Sequence, residues 1–275
     1  MDTLVFLKAA KSSVGNAIHQ SSAWAGDLLR DTAAELLHTY SAENRPGPFV
    51  TRVHPHPLHR NRCGLEFLVF GSACRVVAPL IAAVRYAASH GFVNQGAAVQ
   101  VLDTSIWSED GPESWQGQTA PALSLLAMDV EQVWESPLVE VQLLSPLRML
   151  HTARGAADGA SRKGEEQLLG AGHFESSLFL KNVIARVDWL ARVYCGYDGA
   201  ALPRFETRLV SQKLQALSNA YRSARQDRII PLDGVEGSFL MAMDPAAWPW
   251  LWAGSWVHAG KATVQGYGRY QLVAR

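Results

Sequence analysis

The chain has 275 residues, 25 basic and 25 acidic side chains, 48% hydrophobic residues and 18% charged ones. That apolar share supplies a core and excludes a disordered chain, and the length suits one large domain or two small ones. The charge deficit against the usual ~25% points to surface buried in an assembly, while the zero formal net charge argues at first sight against a nucleic-acid partner.

In chain order, Leu4 to Lys8 reads as a short opening strand, with an apolar run too short for a signal-peptide core. The near-helical recurrence of Leu28, Leu29, Ala33, Leu36 and Leu37 predicts a helix over Ala23–Tyr40, stopped before a loop that contains Pro46. Pro48–Val53 and Leu65–Phe70 read as strands, Val76–Ser89 as a helix, and Ala97–Trp107 as a fourth strand. This β-α-β-β-α-β order is that of a ferredoxin-like domain, expected over residues 1–110.

An acidic linker is expected over 111–137 and a second ferredoxin-like domain over 138–275. In it Val139–Leu144 is a strand, Ala153–Gly172 an insertion rich in Gly, Ala and charge, and Ser176–Tyr194 a helix. Leu214–Ser223 reads equally as helix or strand. Val235–Met243 is a strand, Pro245–Trp256 a short helix and Tyr270–Val273 the closing strand. The predicted class is therefore α+β, with tandem ferredoxin-like halves of the RAMP and RRM kind. The longest apolar-looking stretch, Pro245 to Gly260, holds two prolines and falls short of the ~20 residues of a membrane span. Cys63, Cys74 and Cys195 match no CxxC or zinc-knuckle spacing and read as reduced thiols. A soluble, cytoplasmic protein is expected.

The zero net charge hides segregation. Val101–Leu147 carries eight acids and no Lys or Arg, which leaves 17 acids against 25 bases elsewhere. The bases are 19 Arg and 6 Lys, and arginine is the residue that forks onto phosphate and stacks on bases; a GC-rich genome raises Arg as well. Arg45–Arg62 gathers Arg45, Arg52, Arg60 and Arg62 with His54, His56 and His59 and no acid. Arg204–Arg228 gathers Arg204, Arg208, Lys213, Arg222, Arg225 and Arg228 against Glu206 and Asp227. Such clusters suit phosphates on an RNA stem, or they are solvated surface. His54, His56 and His59 have no Cys or carboxylate beside them in sequence, so no metal site is expected. Trp248, Trp250, Trp252 and Trp256 read as core packing rather than as a base-stacking platform.

The segment 258–270, HAGKATVQGYGRY, sets Gly260, Gly266 and Gly268 around Lys261 and Arg269, between a helix and a strand. Glycines allow close backbone approach and positive φ, so successive amides can face phosphates. No GK[ST] opens a helix here, and the segment leads into a strand, so neither a Walker loop nor a dinucleotide fingerprint fits. A plain glycine-rich turn fits the spacing as well as a phosphate loop does.

The stretch Trp256–Leu272 resembles the C-terminal glycine-rich loop of the CRISPR repeat-RNA processing endoribonucleases of the RAMP superfamily. Pro48-Phe49-Val50, Leu65–Gly71, Ser145-Pro146-Leu147-Arg148, Tyr221–Gln226 and Gly234–Gly237 follow in the same order. The resemblance implies an RNA-cleaving enzyme without cofactor that takes the CRISPR repeat hairpin as substrate. It implies that the enzyme holds the product afterwards and joins other subunits of a ribonucleoprotein. His38 stands where family members often carry a catalytic histidine, and Arg30 and Arg45 are expected to stabilise the scissile phosphate. Gly260, Lys261, Gly266, Gly268, Arg269, Arg222, Arg225, Arg228, Arg52, Arg60 and Arg62 are expected to hold the RNA. The Tyr partner that the resemblance implies is not evident in the first helix, where Trp24 is the nearest aromatic. A related protein that grips guide RNA without cutting it is the alternative.

Overall fold

In the computed structural model, described for residues 13–41, 46–59, 62–90, 99–108, 110–117, 136–152, 166–199, 201–223 and 228–274, Cα packing separates two units. One comprises Met1–Val130, Trp189–Asp198 and Arg222–Ile229, the other Glu131–Asp188, Gly199–Tyr221 and Ile230–Arg275.

The first unit contains α1 (Arg30–Ser41), β1 (Phe49–Pro55), β2 (Cys63–Val69) and α2 (Val77–Ser89). β1 and β2 pair antiparallel from Phe49↔Val69 to Pro55↔Cys63. Ala33, Leu36, Phe49, Val50, Leu80 and Ala83 are all buried, and Phe49 meets Phe67 edge to face at 5.4 Å. The elements α-β-β-α are the middle of the expected ferredoxin-like order. Its expected opening strand, Leu4–Lys8, lies outside the described residues.

Two expectations change here. The helix predicted over Ala23–Tyr40 is interrupted: a turn at Ser21–Trp24 ends before Gly26, which is extended (φ −67, ψ 179), and Asp27–Leu29 forms a 3₁₀ turn ahead of α1. Glycine and aspartate are weak helix formers, and Asp favours helix starts. The cost falls on Leu28, which leaves the apolar stripe and is 94% exposed. The fourth strand is shorter than Ala97–Trp107. Among the described residues of that span only β3 (Ser105–Ser108) forms, and it pairs with β4 (Gly111–Ser114) in a hairpin that reaches into the acidic stretch. Gly111, at φ +114, takes the backbone through a conformation that L side chains rarely adopt.

The second unit holds β5 (Leu138–Leu143), the short pair β6 (Leu150–Thr152) and β7 (Glu166–Leu168), and α3 (Ser176–Tyr194), whose last turns count with the first unit. Then come β8 (Thr207–Leu217), the pair β9 (Ala220–Ser223) and β10 (Arg228–Pro231), of which Arg222–Ile229 count with the first unit, β11 (Gly234–Met243), α4 (Trp248–Val257) and β12 (Tyr270–Ala274). The main sheet runs β12-β5-β11-β8, antiparallel throughout. Counting its strands along the chain gives the order 4-1-3-2, with α3 and α4 as crossovers, which is the ferredoxin-like topology. The segment Leu214–Ser223 settles as parts of two strands: Leu214–Leu217 end β8, which β11 ladders from Gly234↔Leu217 to Met243↔Thr207, and Ala220–Ser223 form β9 beside β10.

One sheet face alternates inward. Val139, Val141, Phe239, Met241 and Tyr270 are buried together with Phe179, Leu180 and Val183 of α3 and Leu251 of α4. Phe179 meets Phe239 at 5.1 Å and Tyr270 at 5.3 Å, both edge to face, a favoured aromatic geometry. Trp248 lies inside and Trp250 and Trp252 pack partly against this core. Among the described residues no helix is long and apolar enough to cross a membrane. The fold is α+β with tandem ferredoxin-like halves.

Candidate nucleic-acid interface

The glycine-rich loop leaves α4 through a backbone contortion. His258, fully buried, takes φ +64 at the helix end, and Ala262 takes φ +61. Non-glycine residues hold positive φ only when their surroundings dictate it. The His258 ring provides part of that constraint, with Nδ1 3.2 Å from the Tyr267 carbonyl. The loop then folds over itself. Gln265 and Gly266 donate to the Ala262 and Thr263 carbonyls, and Ala259 donates to Gly268 at 2.9 Å.

At two glycines the backbone leaves no room for a side chain. A Cβ on Gly268 (φ +73) would lie 1.8 Å from the Ala259 carbonyl oxygen, and one on Gly260 (φ +77) 2.3 Å from that of Arg148. Backbone passes backbone with no room for a methyl group.

The amide-cradle expectation is corrected at this point, because most of these amides already have protein acceptors. Gly260 donates to Asn182 Oδ1 at 2.8 Å, Lys261 to the Arg148 carbonyl at 2.8 Å, and Gly268 to the Pro146 carbonyl at 2.8 Å. Arg269 donates to Ser145 Oγ at 2.8 Å, and its own carbonyl accepts from Leu144 and Ser145. Gly266, Tyr267 and Gly268 are buried. The loop is therefore a rigid mount. What it presents outward is side-chain charge: Lys261 is exposed and Arg269 half-buried.

A polar cluster braces this mount. Tyr267 is buried, and its hydroxyl accepts from Asn219 Nδ2 at 2.9 Å. Burial pushes the Tyr267 phenol above its ordinary pKa, partly offset by the Asn219 bond and the nearby Arg148 charge. Asp233 accepts from the Asn219 amide at 3.0 Å and the Ser218 hydroxyl at 2.9 Å. The Asn219 amide, the Ser218 hydroxyl and Arg148 all hold its carboxyl below the usual range. Arg148 Nη1 donates to the Asp233 carbonyl at 3.2 Å. Asn182, Asn219 and Asp233 escape sequence reasoning, since no motif distinguishes a buried-loop anchor from any surface amide or acid.

In the first unit, Arg30 and His38 are both exposed on α1. Eight residues at 1.5 Å and 100° each set them about 12 Å apart along the axis and ~80° around it. Arg30 begins the helix, where a cation opposes the dipole, and it pairs with Asp27. His38 lies near the other end of the helix. Tyr40 lies in α1 two residues after His38, which corrects the expectation of no tyrosine in the first helix; it stacks on Phe49 and meets the ring of His19 at 5.9 Å.

The remaining sequence candidates divide. Arg52 is 8% exposed and pairs with Glu66 at 3.6 Å, which also holds His54 at 3.0 Å; Arg52 is thus an interior strut of the β1–β2 hairpin. Arg62 is exposed. Arg45, Arg60 and Arg225 lie outside the described residues, as do the side chains of Arg222 and Arg228. His56 Nδ1 accepts from the amides of Leu58 and His59, both at 3.1 Å, and so caps its own turn. Among the described residues no three His, Cys, Asp or Glu side chains gather as metal ligands do.

Residues 141–270 match the family model described as CRISPR-associated endoribonuclease Cas6. No curated protein matches the chain. Among solved structures, one Cas6 product complex aligns at TM-score 0.53 and 14% identity over 97% of this chain and 93% of its own. A second Cas6 product complex aligns at 0.48 and 16% over 90% and 89%. A Cas6-related protein from Pyrococcus furiosus aligns at 0.43 and 12% over 98% and 90%. The first of these shares the fold of nearly the whole chain, whereas the family match spans the main sheet and the glycine-rich loop. Over residues 141–270 the chain is thus similar to the CRISPR-associated endoribonuclease Cas6 family.

Proposed function

We propose that the protein is a metal-independent endoribonuclease that binds the hairpin of a CRISPR repeat, cuts at the 3′ base of that hairpin, and keeps the processed guide RNA. The family match over residues 141–270 carries this reading. It fits a rigid loop whose amides are largely engaged by protein acceptors and whose Lys261 is exposed. The RNA ligands are Lys261 and Arg269 on the loop, Arg62 on the first hairpin, and the Arg222, Arg225 and Arg228 cluster. Gly260, Gly266 and Gly268 serve by shaping the mount.

Cleavage without metal requires the 2′-hydroxyl to attack the neighbouring phosphorus while the 5′-oxygen leaves. A base takes the hydroxyl proton, an acid supplies one to the leaving oxygen, and cations stabilise the crowded phosphorane. His38 is the group suited to proton transfer near neutral pH. Arg30 and Arg45 act by charge, because a guanidinium does not deprotonate. The products are a 5′-hydroxyl and a 2′,3′-cyclic phosphate, or the 3′-phosphate left when water opens that ring. The low share of charged residues suits a stable assembly with other subunits of a cytoplasmic ribonucleoprotein.

Incubation of the purified protein with repeat RNA in EDTA tests the reading. Shortened RNA with those end groups supports it. A shifted but intact band makes the protein a guide-RNA binder, and activity lost with chelator revives a metal.

A further inference from the structure

We propose that Arg148 is a phosphate ligand that works beside Lys261, so that the glycine-rich loop offers RNA a pair of cations; this rests on the RNA-binding reading above. The two residues are backbone neighbours although far apart in sequence: the Lys261 amide donates to the Arg148 carbonyl at 2.8 Å. No side chain can stand between them, because a Cβ on the intervening Gly260 would lie 2.3 Å from the Arg148 carbonyl oxygen. Lys261 is exposed and Arg148 half-buried.

The Arg148 side chain is held by one edge only. Its one side-chain hydrogen bond among the described residues runs from Nη1 to the Asp233 carbonyl. The Asp233 carboxylate is engaged by the Asn219 amide and the Ser218 hydroxyl, and Asn219 in turn donates to Tyr267 of the loop. That ring of contacts orients the guanidinium without consuming its five donors. A fork fixed in advance loses less entropy when it binds, and its planar geometry suits the oxygens of a phosphodiester. A neutral amide donor reaches the Asp233 carbonyl equally well, so that hydrogen bond needs no charge, whereas a phosphate ligand does.

The experiment measures affinity for the CRISPR-repeat hairpin against salt for the wild type, Arg148→Lys and Arg148→Gln, with thermal midpoints for each. Each phosphate neutralised contributes about 0.7–0.9 to the salt slope. Arg148→Gln is expected to bind about tenfold more weakly with its slope reduced by that amount, and Arg148→Lys to keep the slope. A wild-type slope in Arg148→Gln overturns the proposal. A second measurement needs no variant: phenylglyoxal modification of Arg148 in the wild-type protein, read by mass spectrometry with and without the hairpin. Protection by RNA supports the assignment and equal modification overturns it. A wild type that does not bind the hairpin overturns the RNA reading and this one with it, whereas binding with unprotected Arg148 overturns this one alone.

Discussion

Asn182, on α3, accepts the amide hydrogen of Gly260 at 2.8 Å across 78 residues of sequence. One helical turn further, Arg186 donates from Nε to the Val257 carbonyl at 2.8 Å. The long crossover helix therefore grips the chain on both sides of the contorted His258, and loop shape becomes a property of the domain core. Asn182→Ala leaves the Gly260 amide without its acceptor in a half-buried site. The expected cost is about 1–2 kcal/mol in urea unfolding, with faster hydrogen exchange at the Gly260 amide; unchanged exchange would remove Asn182 as the anchor.

A methyl group distinguishes the glycines by position. Gly268→Ala forces a Cβ to within 1.8 Å of the Ala259 carbonyl oxygen at φ +73, and is expected to destabilise by at least ~2 kcal/mol through strain and displaced backbone. Gly26→Ala meets nothing within 4 Å and keeps an ordinary φ of −67. It should change stability by about 0.5 kcal/mol or less. Thermal denaturation of the two variants side by side checks the contrast, and equal midpoints would contradict it.

His38 is exposed near the end of α1, so its removal should not disturb folding. His38→Ala is expected to slow repeat cleavage by about 10²–10⁴ while hairpin affinity stays near wild type. Single-turnover rates with matched binding assays read this out. A wild-type rate takes His38 out of the mechanism, and the His19–Tyr40 ring pair would then be the next imidazole to test.

The brace under the loop carries its own pH dependence. The native Asp233 carboxyl is more acidic than an unfolded one, chiefly because the Asn219 amide and the Ser218 hydroxyl donate to its ionised form. Its contribution is complete above the ordinary unfolded value of ~3.9 and is lost as pH falls through the lower native value. Protection of the Asn219 amide, followed by hydrogen exchange from about pH 6 downward, should persist through ~3.9 and fail below it. Asp233→Asn should flatten that acid limb; an acid limb identical to wild type would show that another group governs it.

Much of the fold was legible because periodicity survives tertiary packing where one face is apolar. Ser176–Tyr194 is helical to the residue as predicted, and β5, β11 and β12 fall where alternating or continuous apolar runs place them. Leu214–Ser223 was ambiguous because β8 is an edge strand with mostly exposed residues, and its partner rather than its own pattern makes it a strand. Leu28 was misread because a regular leucine spacing does not register that Gly26 and Asp27 restart the helix. Arg52 was counted as surface charge, because residue type alone does not register that a cross-strand Glu66 draws it inward.

The order of apolar segments by itself determined the α+β class and the ferredoxin-like succession of the second unit, since burying one face of each element leaves few ways to connect them. The tail's run of Gly, Lys and Arg likewise disclosed its kinship before any coordinate. Only the tertiary structure decided how that tail works. Its amides are bonded to Asn182, Pro146, Ser145 and Arg148, so its glycines answer to backbone crowding and its exposed charge resides in side chains. Hydrogen-bond partners so distant along the chain leave no local pattern; they exist only once the sheet and α3 have brought them together.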